Sequence, residues 1–493
     1  MSRARSSLRA VLLCVAAPTA AALALVQATA ACSDEPARDG FEAVDSAPTA
    51  NLPEAAADVQ TKDARPPFDP REPQVECSVT PCAVEIVAGD AHFCARLSNG
   101  TVSCWGSDLR GALGRGAPDA GDAGDAGATT DAGDAGDGGD AGLDTTRPRT
   151  VVGVANATQL AAGGATTCAR LTDGSVWCWG DNEKGQLGRS SPPTSDDLPH
   201  PVPTKVSLSA AVAHVAVGPE GACATTAAGR VLCWGDNAGL ELGRETPTPI
   251  AGPGEATFDG LATSLDVARA LPGASTTIGL LRSGALVSWG TVAGPDGVLA
   301  GKTSSLTTSE RATSVVSLAS VSSLSVSGRS PGRVPDDAPP GTPPGPPNEH
   351  ACAVSLGVLH CWGRSERGAF GNGLPDVVFA TPVPAVLDAT TYAQQVAAGG
   401  ETTCVRMSDG SVRCAGDNAR GQLGNGSSLA FSPTFTAAST APSDVVGVAA
   451  ARESVCALQR SGAISCWGDN REGQLGRGAR DAQPHATSER VGL

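Results

Sequence analysis

An all-β, seven-bladed β-propeller of four-stranded blades is the architecture this 493-residue sequence predicts, and three observations predict it. One phrase recurs seven times, its period is about fifty residues once two insertions are removed, and its cysteines stand at the spacing of opposed residues in a β-hairpin. The second copy is the fullest: Cys168-Ala-Arg-Leu-Thr-Asp-Gly-Ser-Val-Trp-Cys178-Trp179-Gly180-Asp-Asn-Glu-Lys-Gly185-Gln-Leu-Gly188.

The equivalent positions are Cys94, Cys168, Cys223, Ile278, Cys352, Cys404 and Cys456, separated by 74, 55, 55, 74, 52 and 52 residues. This period is too long for ankyrin, tetratricopeptide or leucine-rich repeats. Each unit reads as strand throughout. In the second, residues 150–154 and 158–162 precede the two cysteine strands, with Gly, Asn and Asp turn signals between them. Four such strands make one propeller blade, and radial packing buries both faces of each small sheet.

The cysteines fix the register. Five repeats hold a C-x9-C pair, which a three-residue connection such as Ser98-Asn99-Gly100 places opposite one another. The fifth repeat shortens to C-x8-C, and a two-residue Leu356-Gly357 turn again opposes Cys352 to Cys361. The fourth loses both cysteines together, with Ile278 and Ser288 in their places, as a bonded pair predicts. Opposed residues at a non-hydrogen-bonded antiparallel site lie about 4.5 Å apart between Cα atoms, within disulfide reach. The expected bridges are therefore Cys94–Cys104, Cys168–Cys178, Cys223–Cys233, Cys352–Cys361, Cys404–Cys414 and Cys456–Cys466, with Cys77 left to pair with Cys82. A zinc site needs four convergent ligands, and each repeat offers one isolated pair, so no metal is expected.

Export follows from the amino terminus. Arg3, Arg5 and Arg9 precede an apolar run from Ala10 to Val26, so residues 1–31 read as a signal peptide. Two exits are open: cleavage after Ala28-Thr29-Ala30, or lipidation of Cys32 in Thr29-Ala30-Ala31-Cys32, which resembles a bacterial lipoprotein box. Residues 32–76 are acidic and rich in Ala and Pro, and read as a disordered tether, leaving 77–493 for the propeller. Two low-complexity insertions interrupt it, at about 117–144 and 328–347. The first carries eight aspartates and no base and reads as a solvated loop rather than a calcium site; the second is proline-rich and reads as an extended spacer.

Much of the formal net charge of −16 falls in the tether and the aspartate loop. No basic patch with interleaved aromatics is present, so nucleic-acid binding has no support. Catalysis has none either. No acid, base and nucleophile recur at a usable spacing, and a sialidase reading would rest on Tyr392, the single tyrosine, without a readable arginine cluster. The tryptophans Trp105, Trp179, Trp234, Trp289, Trp362 and Trp467 read as inter-blade packing, and Trp177 as a core substitution. His92 and His350 read as turn or packing residues, and Arg96, Arg170, Arg282 and Arg406 as makers of structural polar contacts.

The unit Gly-x-x-x-x-Cys-Ala-x-Leu-x-x-Gly-x-x-x-Cys-Trp-Gly-x-Asx-x-x-Gly-Gln-Leu-Gly runs from Gly163 to Gly188, with variations at Gly399–Gly424 and Gly462–Gly476. It closely resembles the regulator of chromosome condensation repeat. The resemblance covers about residues 83–493 and implies a seven-bladed propeller. Two departures mark it: Gly297-Val-Leu-Ala300 replaces the tail of blade 4, and Ala415 replaces the tryptophan of blade 6, so these blades should pack least regularly. The terminal segment Glu489-Arg-Val-Gly-Leu493 is expected to pair into the blade begun by Ala83 to Cys104, closing the ring.

The expected function is a non-catalytic, exported protein-interaction scaffold at the cell envelope. It would be monomeric, without cofactor, and held to the membrane only through a lipid on Cys32; freely periplasmic or extracellular forms are the alternative. The long connections near 190–203, 244–260, 425–443 and 478–487 are expected to open on the same face as both insertions and to hold the protein partner. The resemblance implies two further activities: guanine-nucleotide exchange factor-like action on a small GTPase, and inhibition of an extracellular enzyme, as in a secreted beta-lactamase inhibitor similar to this family.

Overall fold

The computed structural model describes residues 68–116, 144–191, 194–257, 265–291, 301, 309–315, 318–328, 339, 341–343, 348–387 and 390–493. The stretch expected to be a signal peptide, Cys32 and most of both insertions lie outside the described residues.

Seven four-stranded antiparallel sheets are arranged as seven blades, each continuous in sequence: 83–150, 157–205, 212–255, 267–314, 321–384, 393–437 and 445–490. Blade 2 shows the plan, with Ala157–Gly163 innermost, then Thr166–Leu171, Val176–Gly180 and His200–Lys205 outermost. The middle two strands carry the recurring phrase. Their register sets Cys94 opposite Cys104, Cys168 opposite Cys178, Cys223 opposite Cys233, Cys352 opposite Cys361, Cys404 opposite Cys414 and Cys456 opposite Cys466. All six pairs stand at disulfide distance with Cα atoms 4.1–4.2 Å apart; Cys77 and Cys82 form a seventh pair at 5.7 Å. Ile278 faces Ser288 at the same place in blade 4, both fully buried.

The core lies between blades. Seven apolar clusters fill the seven junctions, each combining one blade's cysteine pair, or its substitute, with the next blade's inner strands. A tryptophan locks each junction but one. Trp179 donates its Nε1–H to the carbonyl of Ala112 at 2.9 Å, and Trp234 to Gln186, Trp289 to Glu241, Trp467 to Gln422 and Trp105 to Gln474 at 2.7–2.9 Å. Each acceptor is the second residue of the preceding blade's Gly-x-Leu-Gly tail, which in blade 3 reads Leu240-Glu241-Leu242-Gly243. The tail's last glycine explains its identity: a Cβ on Gly188 would lie 3.0 Å from Trp234, and φ there is +62°. The recurring tail is thus the socket for the next blade's indole.

Blade 6, with Ala415 in the tryptophan position, fills its socket from elsewhere. Phe435, on the outermost strand Phe431–Ala437, stands so close to Gly371 that a Cβ there would come within 2.1 Å of its ring. Phe370 of the preceding tail is fully buried and packs on Phe379 with ring centroids 5.9 Å apart. Two phenylalanines replace one indole at this junction.

Two expectations are corrected. The carboxy-terminal strand Asp481–Arg490 pairs with Ile464–Asn470 of its own blade, and blade 1 takes Arg149–Thr150 as its outer strand. No strand is shared between the chain ends, because each long connection doubles back onto the strand it has just left. The seam between blades 7 and 1 is closed by the same contacts as other junctions, Trp105 on Gln474 and the Ala83 N–H on the Gly462 carbonyl at 3.0 Å. Secondly, the connections expected near 190–203, 244–260, 425–443 and 478–487 contain the outermost strands His200–Lys205, Thr248–Glu255, Phe431–Ala437 and Asp481–Arg490. Pro201, Pro203, Pro249, Pro253, Pro433 and Pro484 disguise them in sequence. Proline is tolerated on an edge strand, where an outward N–H has no ladder partner, and there it discourages edge-to-edge pairing.

Residues 68–82, most of which were expected to belong to the tether, run along the propeller. The Glu76 and Ser78 N–H groups donate to the carbonyls of Arg460 and Ser461 at 2.7 and 3.0 Å, Val75 packs on the blade 7/1 core, and Phe68 meets Tyr392 edge-on at 5.6 Å. This strap crosses the ring seam. Among the described residues no helix is long and apolar enough to cross a membrane.

Candidate functional site

Strand alternation gives the ring two rims. Connections after the first and third strands of each blade open on one; the tight hairpin turns that carry Gly100, Gly174 and their equivalents open on the other.

The loop rim exposes one apolar side chain in the third connection of four blades: Leu109 in blade 1, Leu198 in blade 2, Leu374 in blade 5 and Leu429 in blade 6, the last 70% exposed. Phe431 and Val378, at the starts of the adjoining outer strands, add to the blade 5–6 side. Scattered leucines need no explanation, but their recurrence at one connection on one rim does.

Beneath them runs a girdle of charge pairs between neighbouring blades. Arg110 lies 3.9 Å from Asp181, Lys184 3.6 Å from Asp236, Arg367 2.9 Å from Asp417 and Arg420 3.9 Å from Asp469. In each, the cation precedes a tail glycine and the acid follows the next blade's Cys-Trp-Gly or its Cys-Ala-Gly counterpart. Such part-exposed pairs contribute only about 0–1 kcal/mol each, so they orient more than they stabilise. At the blade 3/4 junction both members are gone, with Gly239 and Thr291 in their places. Glu241 there also replaces the tail glutamine. Gln186, Gln422 and Gln474 each donate an amide N–H to the girdle acid of their own blade at 2.8–3.0 Å. Glu241 has no such proton when ionised, and burial, with Asp236 and Glu220 nearby, pushes its carboxyl up to about 7.

At the axis, the turns bearing Gly89, Gly164, Pro219, Gly328, Gly400 and Arg452 leave an opening of about 60 Å³, far below a ligand site of roughly 300 Å³ or more. Arg452 pairs with Asp90 across the seam. The opposite rim has a larger cleft, about 590 Å³, between the strap and blades 6 and 7.

The histidines hold structural places. His92 bonds Thr167 and His350 bonds Thr403 at 2.8 Å, both fully buried and held neutral, with burial bringing each down to about 4. His200 and His485 bond Asp196 and Asp481. Among the described residues no group of three or more His, Cys, Asp or Glu is placed to hold a metal ion. Trp177 is half-buried between Ala169 and Lys205 on the neighbouring strands, outside the junction core. Arg282 falls in the turn after its strand and bonds Asp266; Arg96 bonds Glu85. Arg406 has no acid partner among its hydrogen bonds, which only the three-dimensional neighbourhood reveals.

Radial blades, indole sockets and a rim of loops define a seven-bladed repeat propeller. Residues 83–112, 157–186 and 393–422 match one profile of the Regulator of chromosome condensation (RCC1) repeat, and 173–225 match a second. It is 27% identical over 411 residues to the ultraviolet-B receptor UVR8 of Arabidopsis thaliana, covering 82% of this chain and 81% of the receptor. Among solved structures it is similar to Prp20p from Saccharomyces cerevisiae, described for its binding to Gsp1p and histones (TM-score 0.62, 18% identity, 80% of this chain and 87% of that one). It is similar also to human WBSCR16 (TM-score 0.56, 21% identity, 71% and 85%). These structural likenesses extend to the fold.

Proposed function

We propose that this chain is an exported, non-catalytic interaction scaffold that holds a protein partner on its loop rim. The observation that carries the reading is the recurrence of Leu109, Leu198, Leu374 and Leu429 in one connection of four blades, exposed on a rigid frame. Seven cysteine pairs at disulfide distance suit an oxidising compartment, which supports export; lipidation of Cys32 would hold the scaffold to the outer membrane or cell surface. Protein binding by Prp20p, whose fold is similar, supports the same use of this frame.

The test is proximity labelling in the native cell with the wild-type chain and a variant carrying Leu198→Ser, Leu374→Ser, Leu429→Ser and Phe431→Ser. The expected result is loss of a discrete set of labelled proteins while secretion and thermal stability persist; an unchanged set refutes the reading. Nucleotide-exchange assays on small GTPases and an extracellular-enzyme inhibition panel test the two activities implied by the family. Mass spectrometry of the mature amino terminus distinguishes diacylglyceryl Cys32 from a free Ala31.

A further inference from the structure

We propose that the cleft on the short-turn rim binds a small carboxylate ligand, with an amino acid or short peptide the best-matched class, and that Arg406 receives its carboxylate. Arg406 is 1% exposed and lines this cleft of about 590 Å³. Its Nη1 donates to the Gln394 side-chain carbonyl, while Nε and Nη2 have no partner. Those two donors form one straight edge of the guanidinium, the edge that matches the two oxygens of a carboxylate.

The orphaned edge has a traceable origin. In blade 1 the same position, Arg96, bonds Glu85 on its own inner strand at 2.7 Å. In blade 2 the residue facing Arg170 is Gln159, which bonds the Val215 backbone of blade 3 at 2.9–3.0 Å, and Arg170 lies within the influence of Glu85 of the preceding blade. In blade 6 both acids are gone. Gln395 faces Arg406 but turns to the Val448 backbone, and Ser323 of blade 5 stands where blade 1 has Glu85. A buried guanidinium that no carboxylate hydrogen-bonds is costly, and burial brings this one down to about 10 even with the charge of Glu72 opposing the shift. Nε and Nη2 are covered in the free protein, and retention of this side chain beside a cleft is explained by a ligand that completes it once the lining side chains shift to admit it.

The lining selects among anions. Asp69 and Arg71 pair with each other, and Arg460 pairs with Glu76 of the strap. Glu72, Asp409 and Asp444 also line the cleft, Asp409 accepting hydrogen bonds from the Ser411 N–H and hydroxyl and Asp444 one from Gln459. A dianionic phosphate would meet these carboxylates as like charges, whereas the ammonium of an amino acid or peptide meets them as opposite ones.

The experiment titrates the full chain with glycylglycine, acetate and inorganic phosphate at constant ionic strength, by calorimetry and thermal unfolding. Glycylglycine is expected to bind saturably and raise the unfolding midpoint, acetate to bind more weakly, and phosphate weakest. Arg406→Met should weaken glycylglycine by at least about tenfold, the loss expected for charge-assisted hydrogen bonds. In the absence of ligand the same variant should unfold at an equal or higher temperature, because it removes an orphaned buried charge. Arg406→Lys, which keeps the charge without the fork, should also lose binding. No saturable carboxylate binding, unchanged binding in Arg406→Met, or tighter binding of phosphate overturns the proposal, as does a marked fall in ligand-free stability of Arg406→Met. The loop-rim serine variant should bind glycylglycine normally, so failure of either proposal is read separately.

Discussion

Glu241→Gln restores to blade 3 the amide that blades 2, 6 and 7 use in their tails. In the wild type a carboxyl of ordinary value 4.5 is raised to about 7 by burial and by Asp236 and Glu220, and Glu241 is only 7% exposed. That displacement amounts to about 3 kcal/mol against the ionised form. Below pH 4.5 the group is protonated folded and unfolded, and no penalty applies. As pH rises toward 7 the unfolded chain releases its proton first, so stability falls with rising pH, and above 7 the full penalty remains. Glutamine does not titrate. The variant should therefore match the wild type near pH 4.5 and exceed it by up to about 3 kcal/mol at pH 8. Urea denaturation of the oxidised protein at half-unit steps of pH measures the difference curve. Parallel wild-type and variant profiles would refute the assignment of Glu241 as a strained tail glutamine.

Burial depresses His92 and His350 from 6.5 to about 4, so the unfolded chain takes up these protons first as pH falls; stability should decline from pH 6.5 toward 4, and His92→Asn with His350→Asn should flatten that limb in the same titration. Ala415→Trp should destabilise, because Phe435 already fills the socket beside Gly371, and adding Phe435→Ala should recover most of the loss in a double-mutant cycle. Trp467→Ala, which empties an occupied socket, should cost about 3–5 kcal/mol by chemical denaturation. Cys94→Ile with Cys104→Ser copies the fully buried Ile278 and Ser288 pair of blade 4 and should fold, losing about 2–3 kcal/mol relative to the oxidised parent and nothing relative to the reduced one.

Much of the frame was legible because its devices repeat. Cysteine spacing reported the hairpin register directly, since turn length and opposed residues are linked by the two-residue period of a strand. What repeats weakly was harder to read. The outer strands carry prolines and half-exposed side chains, so propensity argued for loops where the ladder formed strands. Sequence alone does not reveal the ring closure, because Glu489-Arg-Val-Gly-Leu493 and Arg149-Thr-Val-Val-Gly-Val154 are alike; they are alike as ends of the outer strands of different blades, not as two halves of one. Phe435 could be assigned to the empty socket only when the outer strand was seen to pass it. Arg406 looked like its relatives in other blades, and its difference lies in what two other strands fail to present to it.

Because every blade is a continuous stretch of chain and the seam uses the contacts found at the other junctions, the gene segment and the structural unit coincide. Duplication or deletion of one such segment adds or removes a whole sheet, socket included, without splitting a hydrogen-bonded ladder. A ring closed by a strand borrowed from the opposite terminus would impose a shared boundary on any such change. Here new termini could be opened at any short connection between blades, so circular permutants cut between blades 2 and 3 or 6 and 7 should inherit an intact set of seven sheets.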